Sequence, residues 1–132
     1  MSRILCFEDN ENNLFVLHRR LSRAGHDVKV ATNGREGVDW AKTLQPELIV
    51  MDLNLPGLNG WEATRTLKTQ PETKHIPIII LSSHSEQASR DRAQAAGCDA
   101  YYTKPADFKR LVEEIETMLK ARAAPPAEPP PK

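Results

Sequence analysis

Apolar residues fall into two alternating rhythms along this chain. Unbroken runs such as Ile4-Leu5-Cys6-Phe7, Leu48-Ile49-Val50-Met51 and Ile78-Ile79-Ile80-Leu81 lack polar alternation, the pattern of strands covered on both faces. Between the runs, apolar positions recur every three or four residues, as in Leu14, Leu17 and Leu21, which is the spacing of one helix face. Strands are therefore predicted over Arg3 to Phe7, Asp27 to Ala31, Glu47 to Met51, Ile76 to Leu81 and Ala100 to Thr103. Helices are predicted from about Asn12 to Ala24, Arg35 to Leu44, from near Gly60 through Trp61, Thr64 and Leu67, Glu86 to Ala96 and Asp107 to Ala121. Gly25 sits where a left-handed cap favours glycine, the second helix stops before Pro46, and the fourth ends before Gly97. Alternating elements of this length demand right-handed crossovers. The predicted fold is a doubly wound α/β sandwich, five parallel strands with five helices on both faces.

In such a sheet the strands end at one edge, and that edge collects the polar residues. Phe7-Glu8-Asp9-Asn10, Met51-Asp52-Leu53-Asn54 and Tyr102-Thr103-Lys104-Pro105 each close an apolar run. If those strands are neighbours, Glu8, Asp9, Asp52 and Lys104 converge where open α/β proteins place their chemistry. Three crowded carboxylates would repel one another unless a cation lay among them. Hard oxygen donors facing one lysine suit a divalent ion and a phosphoryl group. Taken singly, these residues have ordinary readings: Asp9 or Asn10 as a helix cap, Lys104-Pro105 as a turn. Their joint occurrence in order does not.

Composition narrows the partners. Of 132 residues, 18 are Lys or Arg and 18 are Asp or Glu, so no overall field draws the chain to nucleic acid or an anionic membrane. The absence of a span-length apolar stretch or a signal-peptide pattern gives a cytoplasmic expectation. Cys6 and Cys98 lack ligand spacing and read as reduced thiols. One domain is expected over residues 2–121. The remainder, 122–132, is expected to be a disordered tail or linker, because Ala123 to Lys132 hold five prolines and no large apolar side chain. Its Pro126 and Pro129 form a P-x-x-P spacing that any proline-rich string produces.

The motifs carry a family resemblance. Glu8-Asp9, Asp52 followed by Asn54, Pro56, Gly57 and Gly60, then Ser82 and Lys104-Pro105 resemble the receiver domain of two-component response regulators, in five segments that match in order. The resemblance implies the flavodoxin-like strand order 2-1-3-4-5. It implies that Asp52 is the phosphoacceptor, taking a phosphoryl group from a phosphohistidine on a sensor histidine kinase or histidine phosphotransfer protein. Mg²⁺ would be held by Glu8, Asp9, Asp52 and the backbone carbonyl of Asn54, with Glu8 acting through water because it is longer than the aspartate often found there.

By the same resemblance Lys104 meets a phosphoryl oxygen, with Pro105 after it joined by a cis bond, and Ser82 and Tyr101 form a switch that remodels the face of the fourth helix, fifth strand and fifth helix toward a downstream protein target. Asn54 and His84 are the positions expected to tune acyl-phosphate lifetime, His84 having a solvated-loop reading as well. Tyr102 is expected on a partner-facing surface. His18, His26 and His75 are assigned no chemistry. The first helix, with Leu14, Phe15 and Pro105 as candidate contacts, would dock the phosphodonor.

Glu8-Asp9-Asn10-Glu11-x-Asn13 and Gly97-Cys98-Asp99-Ala100-Tyr101 resemble stand-alone bacterial cell-cycle receivers. Self-catalysed phosphorylation and hydrolysis of this kind is not ordinary enzymatic turnover. Two other functions stay open: the amino-terminal receiver of a longer regulator, and a phosphorylation-independent interaction module.

Overall fold

The structure, a computed structural model, describes residues 3–8, 11–53, 60–82, 87–103 and 108–123. Its elements alternate: β1 (Arg3–Phe7), α1 (Glu11–Arg23), β2 (Asp27–Ala31), α2 (Gly34–Leu44), β3 (Leu48–Asp52), α3 (Gly60–Thr69), β4 (Ile78–Ser82), α4 (Gln87–Ala95), β5 (Ala100–Thr103) and α5 (Phe108–Ala123). The five strands pair in parallel in the order β2-β1-β3-β4-β5, as expected.

Side-chain alternation along the strands splits the core into two layers. On one side Leu5, Phe7, Ile49, Met51, Ile78 and Ile80 pack with α2 and α3 through Val38, Ala41, Ala63 and Leu67. On the other, Ile4, Cys6, Leu48, Val50, Ile79 and Leu81 meet Leu17 and Leu21 of α1 and Leu111, Ile115 and Leu119 of α5. All five residues of β3 and of β4 are buried, the double coverage implied by their unbroken apolar runs.

Several element ends differ from the predicted ones by one or two residues, and two of these bear on the strand ends. Strand β4 begins at Ile78 rather than Ile76: Ile76 is fully buried, but its N–H donates to Thr73 O at 3.0 Å and closes a turn, and Pro77 has no N–H to give a ladder. Burial, not strand pairing, explains that isoleucine. Strand β3 runs one residue later than expected, to Asp52, whose partner in β4 is Leu81. The carboxylate at the end of the third strand is thus part of the ladder.

The amino edge is fastened by polar contacts between distant segments. Asp99 accepts from the Ile78 N–H at 2.8 Å, and its own N–H donates to Ile78 O at 2.8 Å. The Lys68 ammonium reaches the same carboxylate at 2.8 Å and donates to Ile76 O at 2.7 Å. Nearby, the Schellman-like end of α1 uses Gly25 at φ +92°. It brings His26 to pair through Nε2 with Glu116 of α5.

Among the described residues no helix is long and apolar enough to cross a membrane. The expected tail lies outside the described residues except for Arg122 and Ala123, which continue α5.

Candidate functional site

The register of the sheet assembles the carboxyl edge. Phe7 lies opposite Met51 and Asp52 opposite Leu81. One step past Phe7, Glu8 therefore leaves β1 beside Asp52 of β3. Both acids are buried, Glu8 at 1% exposure and Asp52 at 3%. Carboxylates that far out of water need charged or hydrogen-bonding partners. Glu8 is anchored by its backbone, whose N–H donates to Ala31 O at 3.0 Å. Alternation puts Glu8 and Asp52 on the α1–α5 side of the sheet, the side of Cys6 and Val50.

The Cys6 thiol responds to that arrangement. Burial, with a smaller contribution from the Glu8 charge, pushes its pKa from 9.0 up to about 12. A thiol that ionises later when folded binds more protons than the unfolded chain above pH 9, so its contribution to stability is present below pH 9 and is lost as pH rises toward 12. Between pH 8 and pH 10 the stability of the wild type relative to Cys6→Ala should fall by about 1.4 kcal/mol in urea unfolding. A pH-independent difference would mean that the thiol does not sense this environment.

Ser82 is fully buried at the end of β4, opposite Thr103 of β5. The preceding pair but one is Ile80 with Tyr101. Ser82 and Tyr101 are thus diagonal neighbours on the α2–α3 side, a distance that aromatic side chains span. The Tyr101 ring packs against the core layer of that side, and the Arg90 guanidinium of α4 lies 5.0 Å from its centroid, within cation–π range. Tyr102 takes the opposite parity and packs, half-buried, against the α1–α5 layer. That burial raises its phenol pKa, with the Glu114 charge adding to the effect. One step along a strand reverses the face, which separates Tyr102 from Tyr101 and leaves it partly exposed.

A close backbone approach fixes the far wall of the edge. The Gly60 N–H, at the start of α3, donates to Leu53 O at 3.2 Å. A Cβ on Gly60 would lie 2.5 Å from Leu53 Cα and 2.7 Å from Asp52 O. Only glycine lets α3 begin directly against the strand end that carries Asp52.

Of the site residues read from the sequence, the structure therefore brings Glu8, Asp52, Ser82 and Tyr101 to one edge. Asp9, Asn54, His84 and Lys104 lie outside the described residues, as do Pro56, Gly57 and Pro105. The described end of β5, Thr103, is the residue that immediately precedes Lys104. Among the described residues no three His, Cys, Asp or Glu side chains gather as a metal site. Glu8 and Asp52 supply two hard carboxylates of the expected set, a donor type that suits Mg²⁺. Arg90 was not singled out from the sequence, where nothing marks a helix residue as lying over an aromatic ring on another element.

Residues 4–116 match the response regulator receiver domain family. The chain belongs to that family. Protein PilH of Pseudomonas aeruginosa is 36% identical to this receiver over 119 residues, covering 90% of the chain and 98% of PilH. The polar-differentiation response regulator DivK of Brucella anthropi is 34% identical over 116 residues, covering 88% and 94%. Among solved structures, the receiver domain of a signal transduction histidine kinase from Syntrophus aciditrophicus superposes with a TM-score of 0.88 at 28% identity, covering 98% of each chain. The receiver domain of the sensor histidine kinase PA1611 of P. aeruginosa, solved with magnesium coordinated in its active site cleft, gives 0.82 at 30% identity, covering 89% of this chain and 97% of that one. The receiver described here thus shares its fold with those receiver domains.

Proposed function

We propose that this receiver accepts a phosphoryl group on Asp52 from a phosphohistidine of a sensor kinase or histidine phosphotransfer protein, and that the acyl phosphate alters its contacts with a downstream protein. The observation that carries this reading is the buried pair Glu8 and Asp52 at adjacent strand ends, inside a chain of the receiver family. A carboxylate oxygen of Asp52 attacks phosphorus, the P–N bond breaks, and its electron pair leaves on the imidazole nitrogen, which is then protonated. Burial strips water from the nucleophile, and the anchored ends of β1 and β3 hold it in place. The product is an acyl phosphate, a mixed anhydride. Water later attacks its phosphorus, releasing inorganic phosphate and regenerating the carboxylate.

Glu8, Asp9, Asp52 and the Asn54 carbonyl are the groups that would hold Mg²⁺, which when bound supplies positive charge against the phosphoryl oxygens. Lys104 contributes a compact ammonium for the same oxygens. Ser82 and Tyr101, diagonal neighbours on one face, serve as the switch: the hydroxyl donates to the phosphoryl group, and the ring relays the change toward α4 through Arg90. Asn54 and His84 flank the path of the hydrolytic water and set the lifetime of the acyl phosphate. On this reading the chain undergoes self-catalysed phosphorylation and hydrolysis without being a turnover enzyme, and it functions inside the cell where kinases of this class present phosphohistidine.

Acetyl phosphate with Mg²⁺ tests the assignment. Intact mass spectrometry should show one added phosphoryl group on the wild type and none on Asp52→Asn. An adduct that persists in Asp52→Asn would move the acceptor elsewhere. A wild type that gains nothing would leave a phosphorylation-independent interaction module.

A further inference from the structure

Helices α3 and α4 border a cleft of about 240 Å³, lined by Trp61, Glu62 and Arg65 on one side and by Arg92, Ala95 and Ala96 on the other. Trp61 and Arg65 stand four residues apart on α3 and so share one helix face, as do Arg92 and Ala95, three apart on α4. The two alanines have no side chain beyond Cβ to fill the space opposite, and the cleft stays open.

Its lining is chemically uneven. Trp61 is half-buried and packs against the α2–α3 layer. The Arg92 guanidinium lies over the indole, 4.7 Å from the ring centroid, within cation–π range. Held there, it keeps an outward flat face for something else. Arg65 and Arg92 are both exposed, and among the described residues neither guanidinium has a hydrogen bond or an ion pair. Glu62 lines the same cleft but pairs with neither. Two cations without a counter-charge thus border one indole, in a chain whose charges balance at 18 and 18.

Three features limit what can fill the cleft. The free fork of Arg65 calls for an anion with paired oxygens, which phosphate supplies. The face of Arg92, backed by the indole, calls for a flat π ring to lie against it. A cleft smaller than the roughly 300–1,000 Å³ of drug-sized ligand sites takes one ring and one charged group, with the remainder in solvent. A nucleoside monophosphate meets all three. Inorganic phosphate or an acidic side chain satisfies Arg65 and leaves Arg92 bare, and a metal cation is repelled by both.

We infer that the α3–α4 cleft binds a nucleoside monophosphate, its phosphate on Arg65 and its base against the outward face of the Arg92 guanidinium that Trp61 backs. The binding involves no phosphoryl transfer. It does not rest on the assignment of Asp52.

The test uses the full chain carrying Trp40→Phe, which leaves Trp61 as the only tryptophan, in buffer without Mg²⁺ or a phosphodonor. Titration with adenosine 5′-monophosphate should change Trp61 emission saturably, with half-saturation at or below about 1 mM. Adenosine and ribose 5-phosphate, which each carry half of the chemistry, should bind at least about fivefold more weakly. Arg65→Gln should weaken the nucleotide about fivefold and leave adenosine unchanged, whereas Arg92→Lys should weaken both about threefold, because an ammonium has no flat face. Both positions are exposed, and circular dichroism checks that the variants fold. Amide shift changes should centre on α3 and α4. No saturable change, ribose 5-phosphate or inorganic phosphate binding as tightly as the nucleotide, or affinities unmoved by either arginine variant would overturn the inference. So would shifts centred on the ends of β1 and β3, or a glutamate-rich peptide that displaces the nucleotide at equal concentration. A short oligonucleotide that binds at least about tenfold more tightly than the mononucleotide would overturn the assignment to a free nucleotide in favour of a strand. With no phosphodonor present, these outcomes are independent of whether Asp52 accepts phosphate.

Discussion

Gly60→Ala is expected to lower stability by about 2–4 kcal/mol and to slow acetyl-phosphate-driven modification of Asp52 by at least about tenfold. The added methyl would sit 2.5 Å from Leu53 Cα and 2.7 Å from Asp52 O. Both are backbone atoms, so no rotamer change relieves the overlap. Either α3 withdraws or the end of β3 moves, by about 1 Å to restore ordinary van der Waals distance. The second option shifts Asp52, the first opens the wall beside it. Helix propensity works in the opposite direction, since alanine is preferred to glycine inside a helix by about 1 kcal/mol, but at the helix start that gain is small beside the clash. Urea unfolding and the initial rate of phosphoryl incorporation, measured on the same preparation, decide the matter. Wild-type values for both would show that the approach of α3 to Asp52 is not a constraint.

Gly37→Ala is expected to cost about 2–3 kcal/mol through a different contact. Here the Cβ would lie 2.1 Å from the Phe7 ring, and Phe7 is fully buried in the layer beneath α2. A ring can tilt where a backbone cannot, but in a packed core its displacement propagates to Ile49 and Val38 in the same layer. Shrinking the ring should therefore rescue the helix. Phe7→Leu alone leaves space and destabilises, yet in the double variant the two changes should be less than additive, with a coupling of about 1–2 kcal/mol in a double-mutant cycle. Additivity within about 0.5 kcal/mol would show that Gly37 and Phe7 do not compete for the same volume.

These two glycines mark the boundary of what the chain reveals before folding. Central strands were legible because an apolar run covered on both faces has no polar alternation to mislead, and Ile4 to Phe7 and Ile78 to Leu81 stand where that pattern puts them. Glu8 and Asp52 were legible because acids that end such runs have few structural excuses. Gly60 read as the start of the third helix, and its second part, admitting α3 against Asp52 O, needs coordinates. Gly37 carried no signal at all: its partner is Phe7, thirty positions earlier in sequence order. His26 likewise read as chemically idle, and only the α1–α5 packing shows it joined to Glu116. Local periodicity reports which face is buried. It does not report what lies across the interface, and every missed contact here is of that second kind.

The sheet also acts as a partition. Among the described residues none belongs to both apolar layers, so strain introduced beneath α2 reaches the α1 and α5 layer by way of the strands. Variation on one side can then accumulate with little penalty from the other. A lineage could redraw the outer surface of one helix pair while the apolar layer across the sheet stays as it is, and two such surfaces can evolve at separate rates inside one small protein.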